Sequence, residues 1–268
     1  MDIQGKVALV TGSGYGIGRG VARRLAQAGA SVVVNDINDQ HGQETVSMIE
    51  AAGGIAAFVH ADVAVDDGVR HLIAFAEGTF GGLDVLVNNA GTYYDAPYFP
   101  EASPEDWVRI LDIFLRAYMA TMQAAIAALK RRGGGAIVNI SSGAGVGFAA
   151  DNNWPDYAAA KAAVMRLTAT LASLKERMNV RVNCICPGWV ATENVRAYTS
   201  QMTEEEREKA DVPAGGPDAM LQPRDIGDAV SQLVQDESLY GRIMLYCEPG
   251  KKRLIPVDLD LFEFGEEV

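Results

Sequence analysis

Short apolar runs alternate with longer amphipathic stretches from residue 6 to about residue 188. The apolar runs are rich in Val, Ile and Leu and lack clean polar alternation, which is typical of strands that are covered on both faces. They predict strands at 6–11, 31–35, 55–60, 83–88, 136–141 and 180–186. The stretches between them predict helices at 18–28, 39–52, 66–80, 104–131 and 156–178.

This alternation predicts an α/β fold, a doubly wound parallel sheet with helices on both faces. The rhythm ends after Pro187 and Gly188. Residues 189–222 are acidic and rich in turn formers, and we expect a small helical lid over a site, with a short helix near 203–210. A helix at 224–235 and a strand at 243–247 follow, and the apolar residues of the tail 251–268 predict that it packs on the protein. We expect one domain over residues 1–268.

Composition narrows the class of protein. Of the 268 residues, 23 are Lys or Arg and 35 are Asp or Glu, a net charge of −12. An acidic surface repels polyanions, so we expect no nucleic-acid partner. No apolar run reaches about 18 residues and the start of the chain is too polar for a signal peptide, so we expect a cytoplasmic protein with no membrane span. Three cysteines (Cys184, Cys186, Cys247) and three histidines show no metal-ligand spacing, and we expect no metal site.

A glycine-rich segment follows the first predicted strand and precedes a helix. It reads Thr11-Gly12-Ser13-Gly14-Tyr15-Gly16-Ile17-Gly18. Glycine lets backbone N–H groups approach a ligand, and the helix N-terminus adds partial positive charge, so the loop suits the pyrophosphate of a dinucleotide. A tight structural turn is the alternative. The candidate cofactor-binding residues in this segment are Gly12, Tyr15, Gly16, Ile17 and Gly18.

The second predicted strand leads into Asp36. An acidic side chain about 20 residues beyond the glycines hydrogen-bonds the ribose hydroxyls of NAD and repels the 2′-phosphate of NADP. No Lys or Arg neighbours Asp36, and Tyr15 in the loop is not basic. The sequence therefore predicts NAD as the cofactor, with a turn-capping role for Asp36 as the alternative.

Tyr157 and Lys161 lie four residues apart in a predicted helix and share one face. A free tyrosine titrates near pH ~10, and an adjacent ammonium with an oxidised nicotinamide lowers that pKa. Tyr157 would then accept a hydroxyl proton while a hydride leaves for the cofactor. Ser142, after the predicted strand at 136–141, would hold the substrate oxygen by a hydrogen bond. A surface Tyr/Lys pair is the alternative reading of this spacing.

Together these motifs resemble the short-chain dehydrogenase/reductase family over nearly the whole chain to about residue 250. Three further segments match at family-like spacing: Asp62-Val63, Asn88-Asn89-Ala90-Gly91 and Pro187-Gly188-Trp189-Val190-Ala191-Thr192. The resemblance implies a Rossmann-type fold, an NAD(P)-dependent oxidoreductase, a homodimer or homotetramer, and Ser142, Tyr157 and Lys161 as the catalytic set. It also implies that the cofactor contacts Asp62, Val63, Asn89, Ala90, Gly91, Tyr157, Lys161, Pro187, Gly188, Val190 and Thr192.

The chain departs from the family pattern in three places. Phe114 stands where the family has an asparagine that holds a proton-relaying water, which predicts slower turnover unless another group carries that water. The segment between Ser142 and Tyr157 is about two residues longer than usual, which reshapes the mouth of the pocket. It also leaves Ser141 as an alternative to Ser142 for the catalytic serine. Glu248-Pro249-Gly250 and an unusual tail follow the last strand.

Aromatic side chains are expected around the reacting carbon. The predicted pocket residues are Tyr93, Phe148, Trp154 and Trp189. This lining suits a cyclic, aromatic or steroid-like secondary alcohol or ketone better than a small polar sugar, unless half of these residues only pack the lid. Two other functions stay open: a 3-hydroxyacyl/3-oxoacyl-type reductase, and a nucleotide-binding protein whose catalysis is weakened by Phe114.

Overall fold

The computed structural model describes residues 1–92, 100–146 and 154–256. Its strands are β1 Val7–Val10, β2 Ser31–Asp36, β3 Ile55–His60, β4 Val85–Asn88, β5 Gly135–Ile140, β6 Val180–Pro187, β7 Ile243–Glu248 and β8 Lys251–Leu254. These form one sheet in the order β3-β2-β1-β4-β5-β6-β7-β8. Neighbours from β3 to β7 pair in parallel, and β8 pairs antiparallel to β7.

Helices cover both faces of this sheet. They are α1 Gly16–Gln27, α2 Asp39–Ala51, α3 Asp66–Phe80, α4 Pro104–Leu111, α5 Ala117–Arg131, α6 Pro155–Thr170, α7 Leu174–Met178, α8 Glu193–Gln201, α9 Glu204–Lys209 and α10 Pro223–Gln235. A π-helical segment, Asp112–Arg116, joins α4 to α5 without a break. The predicted doubly wound α/β fold is confirmed.

Successive residues of β1 point into different clusters of the core. Ala8 and Val10 belong to the cluster that holds the apolar stripes of α1, α2 and α10. Leu9 belongs to the opposite cluster, which holds those of α3 and α5. Side chains of a strand alternate between the two faces, so β1 is buried on both sides. This explains the continuous apolar run that marked it in the sequence.

The strand order reverses between β1 and β4. From β1 the sheet continues through β2 to β3, and from β4 it continues the other way to β7. Parallel strands all end at the same edge, and a cleft opens at this edge where the order reverses. The residues that follow β1, β2, β4, β5 and β6 therefore meet there, although they are far apart in the sequence.

Strand β8 was not predicted, and it makes the sheet mixed rather than all parallel. Pro249 and Gly250 separate it from β7, and Gly250 has a φ of +75°, which lets the chain reverse. The strand reads Lys-Lys-Arg-Leu and lies at the edge of the sheet. Its charged residues gave no apolar pattern, and charge at an edge strand opposes pairing with other chains. Residues 257–268 of the tail lie outside the described part.

Three helical segments differ from their predictions. The stretch 104–131 contains the π-helical segment, and 156–178 divides into α6 and α7. Near that division the hydroxyl of Thr170 donates to the carbonyl O of Leu167 (2.8 Å), a side-chain bond that competes with the helix. The lid holds α8 as well as the short helix α9 that was predicted. Helix α8 was missed because it is polar, with only Thr199 buried.

The helical stretch Pro104–Arg131 is, by length and hydropathy, the one described segment that could cross a membrane. Ala125 and Leu129 on it are fully buried against the sheet, the ordinary position of a core helix. Trp107, Val108 and Leu111 on the same stretch stay exposed. The predicted homodimer or homotetramer would cover such residues, and it stays a prediction.

Asp84 links the start of β1 to the end of α5. Its carboxylate is buried, accepts from the backbone N of Val7 (2.9 Å) and pairs with Nε of Arg132 (3.1 Å). Replacing it leaves a buried N–H without an acceptor and a cation without its partner. We expect Asp84→Ala to lower the free energy of unfolding by about 2–4 kcal/mol in a urea titration. As a control, Asp67→Ala removes an exposed ion pair with Arg70 and should change the free energy of unfolding little. An equal loss of stability in both variants would contradict the structural role of Asp84.

Candidate active site

The glycine loop lies between β1 and α1 at the carboxyl edge of the sheet. Gly12 has a φ of +59°, and a Cβ there would lie 2.7 Å from the Cα of Ala90. A Cβ at Gly14 would lie 2.7 Å from Oδ2 of Asp36, and one at Gly18 would collide with the carbonyl O of Gly12. The loop is thus packed closely against the backbone at Gly12 and Gly18 and against the side chain of Asp36 at Gly14. It presents the N-terminus of α1 where a phosphate group is best stabilised.

Other predicted loop residues line the same corner. The ring of Tyr15 stacks on that of His41 with centroids 5.1 Å apart. A Cβ at Gly16 would lie 3.2 Å from Cγ2 of Thr192, so the lid touches the loop here. Ile17 packs against the apolar core and anchors the first turn of α1.

Asp36 stands at the end of β2, beside the glycine loop. Its Oδ2 accepts from the backbone N of Gly14 (2.9 Å) and its Oδ1 accepts from the backbone N of Asn38 (2.9 Å). The carboxylate therefore caps the turn after β2, as the alternative reading held, and also faces the loop. The two roles use different oxygens of one side chain.

The ends of β1 and β4 are tied together by side-chain hydrogen bonds. Nδ2 of Asn89 donates to the carbonyl O atoms of Thr11 and Gly12, both at 2.9 Å. The hydroxyl of Thr11 accepts from the backbone N atoms of Asn89 and Ala90, both at 3.0 Å. These bonds fix the floor of the cleft at the point where the strand order reverses.

Tyr157, Ser142 and Lys161 come together at the end of β5. Tyr157 lies in the first turn of α6, and its hydroxyl forms a hydrogen bond with Ser142. Lys161 is buried one turn further along, and its Nζ donates to the carbonyl O of Ile140 (2.9 Å). Ser141 is occupied elsewhere, because its hydroxyl donates to the carbonyl O of Lys161 (2.6 Å). Ser142 is therefore the serine that faces Tyr157.

Burial shifts the pKa of both titratable groups in this cluster. It raises the pKa of Tyr157, and the hydrogen bond with Ser142 partly opposes that rise. Burial also lowers the pKa of Lys161 to about 8. Both shifts favour the neutral forms, because a charge is poorly solvated in this position.

Phe114 lies in the π-helical segment and packs the site. Its ring meets the ring of Tyr157 edge to face, with centroids 5.0 Å apart. The Nζ of Lys161 lies 4.6 Å from its ring centroid, and a Cβ at Gly91 would lie 2.5 Å from its Cε1. The position expected to hold an asparagine is thus filled by a ring in close contact with the site.

The segment after β6 closes the lid side of the cleft. Pro187 ends β6, Gly188 follows, and Val190 is buried in a bridge with Leu221, where the lid returns to the body. Thr192 caps α8 with its hydroxyl. Both ends of the lid are therefore fixed to each other beside the cleft.

The predicted substrate residues separate into three groups. Trp154 is the N-cap residue of α6, and its ring centroid lies 6.3 Å from that of Tyr157. Trp189 donates from Nε1 to the carbonyl O of Ala210 (3.3 Å) and so packs within the lid. Tyr93 and Phe148 lie outside the described residues. Of the two predicted residues that the structure describes, Trp154 is the one that lies beside Tyr157.

Asp62 and Val63 follow β3, at the far side of the glycine loop. Asp62 is exposed, and its Oδ1 accepts from the backbone N of Ala64 (2.8 Å), while Val63 is buried in the core. In the described ranges no group of three His, Cys, Asp or Glu residues is placed to hold a metal ion.

Two neighbours of the predicted residues were not identified from the sequence. Tyr118 is buried, with its hydroxyl 3.5 Å from Nζ of Lys161, and His41 stacks on Tyr15. A helical spacing of four residues from Phe114 could have indicated Tyr118. No sequence signal marks His41, because its contact depends on how α2 packs beside the loop.

The fold and the cleft define a dinucleotide-binding α/β protein, and the comparisons define its family. Residues 6–203 match the model of the family described as short chain dehydrogenase. The chain belongs to the short-chain dehydrogenase/reductase family and is an NAD(P)-dependent oxidoreductase.

Similar proteins include two characterised dehydrogenases. A 3beta-hydroxysteroid dehydrogenase 1 of Eggerthella lenta is 38% identical over 99% of this chain and 98% of its own. A cyclohexanol dehydrogenase of Acinetobacter sp. is 36% identical over 88% of this chain and 90% of its own. A solved 7 alpha-hydroxysteroid dehydrogenase, in complex with NADH and 7-oxo glycochenodeoxycholic acid, is 31% identical with a TM-score of 0.81, and the match covers 92% of this chain and 94% of that one.

The cleft fits a nicotinamide dinucleotide. The loop can lie this close to its neighbours because Gly12 and Gly14 have no Cβ, which would meet Ala90 or Asp36 respectively, and Asp36 supplies a carboxylate where a ribose is expected. A nicotinamide cofactor is thus supported by the family and by the shape and donors of the loop.

Gly12→Ala should weaken binding of NADH, because the new Cβ would meet the backbone of Ala90 and displace the loop. We expect a loss of affinity of about tenfold or more in a titration followed by nicotinamide fluorescence.

Gly5→Ala is the matched control. Gly5 also has positive φ (+70°), but a Cβ there has nothing within 4 Å. The strain of an alanine at this positive φ should lower the free energy of unfolding and leave the affinity for NADH unchanged. If both variants bound NADH like the wild type while folded by circular dichroism, the loop would not form the cofactor site.

Proposed function

We propose that the protein is an NAD-dependent dehydrogenase that interconverts a secondary alcohol and a ketone, with Ser142, Tyr157 and Lys161 as its catalytic residues. The observation that carries the proposal is the cluster at the end of β5: Tyr157 bonded to Ser142, with the ammonium of Lys161 buried one helical turn away. Two of the similar proteins are named for alcohols of this kind, cyclohexanol and a hydroxysteroid.

The bound nicotinamide would accept the hydride from the alcohol carbon or return it to the ketone. Tyr157 takes the hydroxyl proton in oxidation and gives it back in reduction, and Ser142 donates a hydrogen bond to the substrate oxygen. Burial holds the pKa of Tyr157 above its ordinary value. Positive charge from Lys161 and from the oxidised ring would counter that rise and make the phenolate accessible.

A cyclic or steroid-like substrate is supported by two observations. Trp154 presents a flat apolar surface near the ring of Tyr157. Two similar proteins are named for steroid substrates and a third for cyclohexanol. A ring-shaped apolar alcohol would bury well against such a lining.

NAD rather than NADP is supported by Asp36. Its carboxylate faces the loop and would accept from ribose hydroxyls, whereas a 2′-phosphate there would meet like charge. The basic side chain nearest the loop, Arg19, is held by the carbonyl O of Gly14 and by Thr45.

Tyr157→Phe should reduce oxidation of the alcohol by about 100-fold or more, because the proton acceptor is lost while the ring still packs. The assay follows NADH absorbance with a panel of cyclic, aromatic, steroidal and hydroxyacyl alcohols.

Tyr240→Phe serves as control, because this tyrosine is exposed and lies outside the cleft. NADH binding, measured by fluorescence, should survive in both variants. Turnover by Tyr157→Phe at the wild-type rate would contradict the proposal. If the wild type binds NADH but turns over no alcohol of the panel, the result would favour a binding protein with weakened catalysis. Activity confined to hydroxyacyl substrates would favour the 3-hydroxyacyl function.

Asp36→Asn should lower the ratio of kcat/KM for NAD to that for NADP by about tenfold or more, since it removes the charge and keeps an oxygen for the N–H of Gly14. Asp39→Asn is the control, since this exposed residue pairs with His60 outside the loop. An unchanged ratio in Asp36→Asn would remove Asp36 from the ribose site.

A further inference from the structure

Lys161 is a lysine without a salt-bridge partner among the described residues, and it is buried. Only 3% of its surface is exposed. Its Nζ donates to the carbonyl O of Ile140 (2.9 Å), and the hydroxyl of Tyr118 lies at 3.5 Å. A buried ammonium needs compensation for its lost hydration, and here the carbonyl O of Ile140 and the hydroxyl of Tyr118 both accept from it.

Three aromatic rings surround this ammonium. The Nζ lies 4.6 Å from the ring centroid of Phe114, 5.1 Å from that of Tyr118 and 5.7 Å from that of Tyr157. The distance to Phe114 falls well within the range of about 6 Å in which a ring face attracts a cation, and the attraction grows when both partners are desolvated. Tyr118 approaches with its hydroxyl, whose oxygen is nearer to the Nζ than its ring centroid is. The shortest distance belongs to Phe114, which offers no hydrogen bond.

The helix that carries Phe114 and Tyr118 is shaped for this contact. Phe114 lies in the π-helical segment Asp112–Arg116, and Tyr118 follows in the first turn of α5. Isolated π-helical turns inside long helices are frequent at functional sites. Both side chains are buried, and the hydroxyl of Tyr118 donates to the carbonyl O of Ile140, the acceptor that Lys161 also uses (3.2 Å). Tyr118 and Lys161 are thus fixed to the same acceptor, with the ring of Phe114 close to the ammonium.

We infer that Phe114 is a positioning residue whose ring holds the ammonium of Lys161 in place, beside the hydroxyl of Tyr118 and the carbonyl O of Ile140 that accept its hydrogen bonds. Phe114 then compensates for the asparagine that the sequence comparison led us to expect there. The catalytic meaning of this aromatic seat (the ring of Phe114 with the hydroxyl of Tyr118) rests on the proposed function; the contact itself does not.

The seat has a consequence for protonation. Burial lowers the pKa of Lys161 to about 8, and the ring of Phe114 opposes that decrease because it favours the charged form. The other groups that face Lys161 are Tyr157 from its own helix and Cys184 and Cys186 from β6. Lys161 carries its charge below about pH 8 and loses it as the pH rises further. A weaker contact with the aromatic seat would lower the pKa of Lys161, so the charge beside Tyr157 would be lost at a lower pH.

The test replaces Phe114 with a ring-difluorinated phenylalanine, which keeps the shape of the ring and withdraws electron density from its face. The pKa of Lys161 is read by NMR on protein with isotope-labelled lysine, with the signal assigned by its absence from Lys161→Met. We expect the pKa of Lys161 to decrease by about one pH unit or somewhat less. This shift corresponds to the free energy of a desolvated cation–π contact. The titration uses the protein without substrate or cofactor, so it succeeds or fails independently of the dehydrogenase assay.

The same fluorinated residue at Phe80 is the control, because Phe80 packs against the core on α3, and it should leave the pKa of Lys161 unchanged. Tyr118→Phe keeps the second ring and removes its hydroxyl. An unchanged pKa in the fluorinated Phe114 protein would overturn the inference. So would a decrease confined to Tyr118→Phe, because the hydroxyl and not the ring of Phe114 would then hold the ammonium.

Discussion

Parallel pairing of β1 with both β2 and β4 is the constraint on which the rest of the structure depends. Parallel strands require a crossover between them, so each crossover helix lies on one face or the other and the strand ends collect at one edge. The loop after β1, Asp36 after β2, Asn89 after β4 and Ser142 after β5 meet there for this reason. Their side chains need no long-range contact of their own to be brought together.

At that edge the backbone, more than the side chains, forms the cofactor corner. Gly12 approaches Ala90 so closely that no Cβ fits, and Thr11 and Asn89 satisfy the carbonyl and N–H groups left at the strand ends. Unpaired backbone groups would be costly in so buried a place. The strand ends therefore hold the floor of the cleft in place through their own hydrogen bonds.

The reacting end of the cleft has the opposite character, because it is built from rings. Phe114, Tyr118 and Tyr157 enclose Lys161, and the ammonium is kept in a poorly solvated position. The departure at Phe114, which from the sequence suggested a missing relay, is in the structure a packed contact. A low-dielectric environment makes each charge in it act more strongly on its neighbours, and it also makes each charge harder to maintain.

The sequence by itself determined the strand and helix order, the doubly wound fold and the family, because apolar periodicity and glycine spacing are local properties of the chain. It also indicated Asp36, Ser142, Tyr157 and Lys161 as candidate site residues, because their residue types and spacing imply chemistry. It did not show β8, the π-helical segment or the ring seat around Lys161. Those depend on which side chains meet across elements: Phe114 and Lys161 are 47 residues apart (161 − 114), and only packing of α6 against the helix Pro104–Arg131 brings the ring to the ammonium.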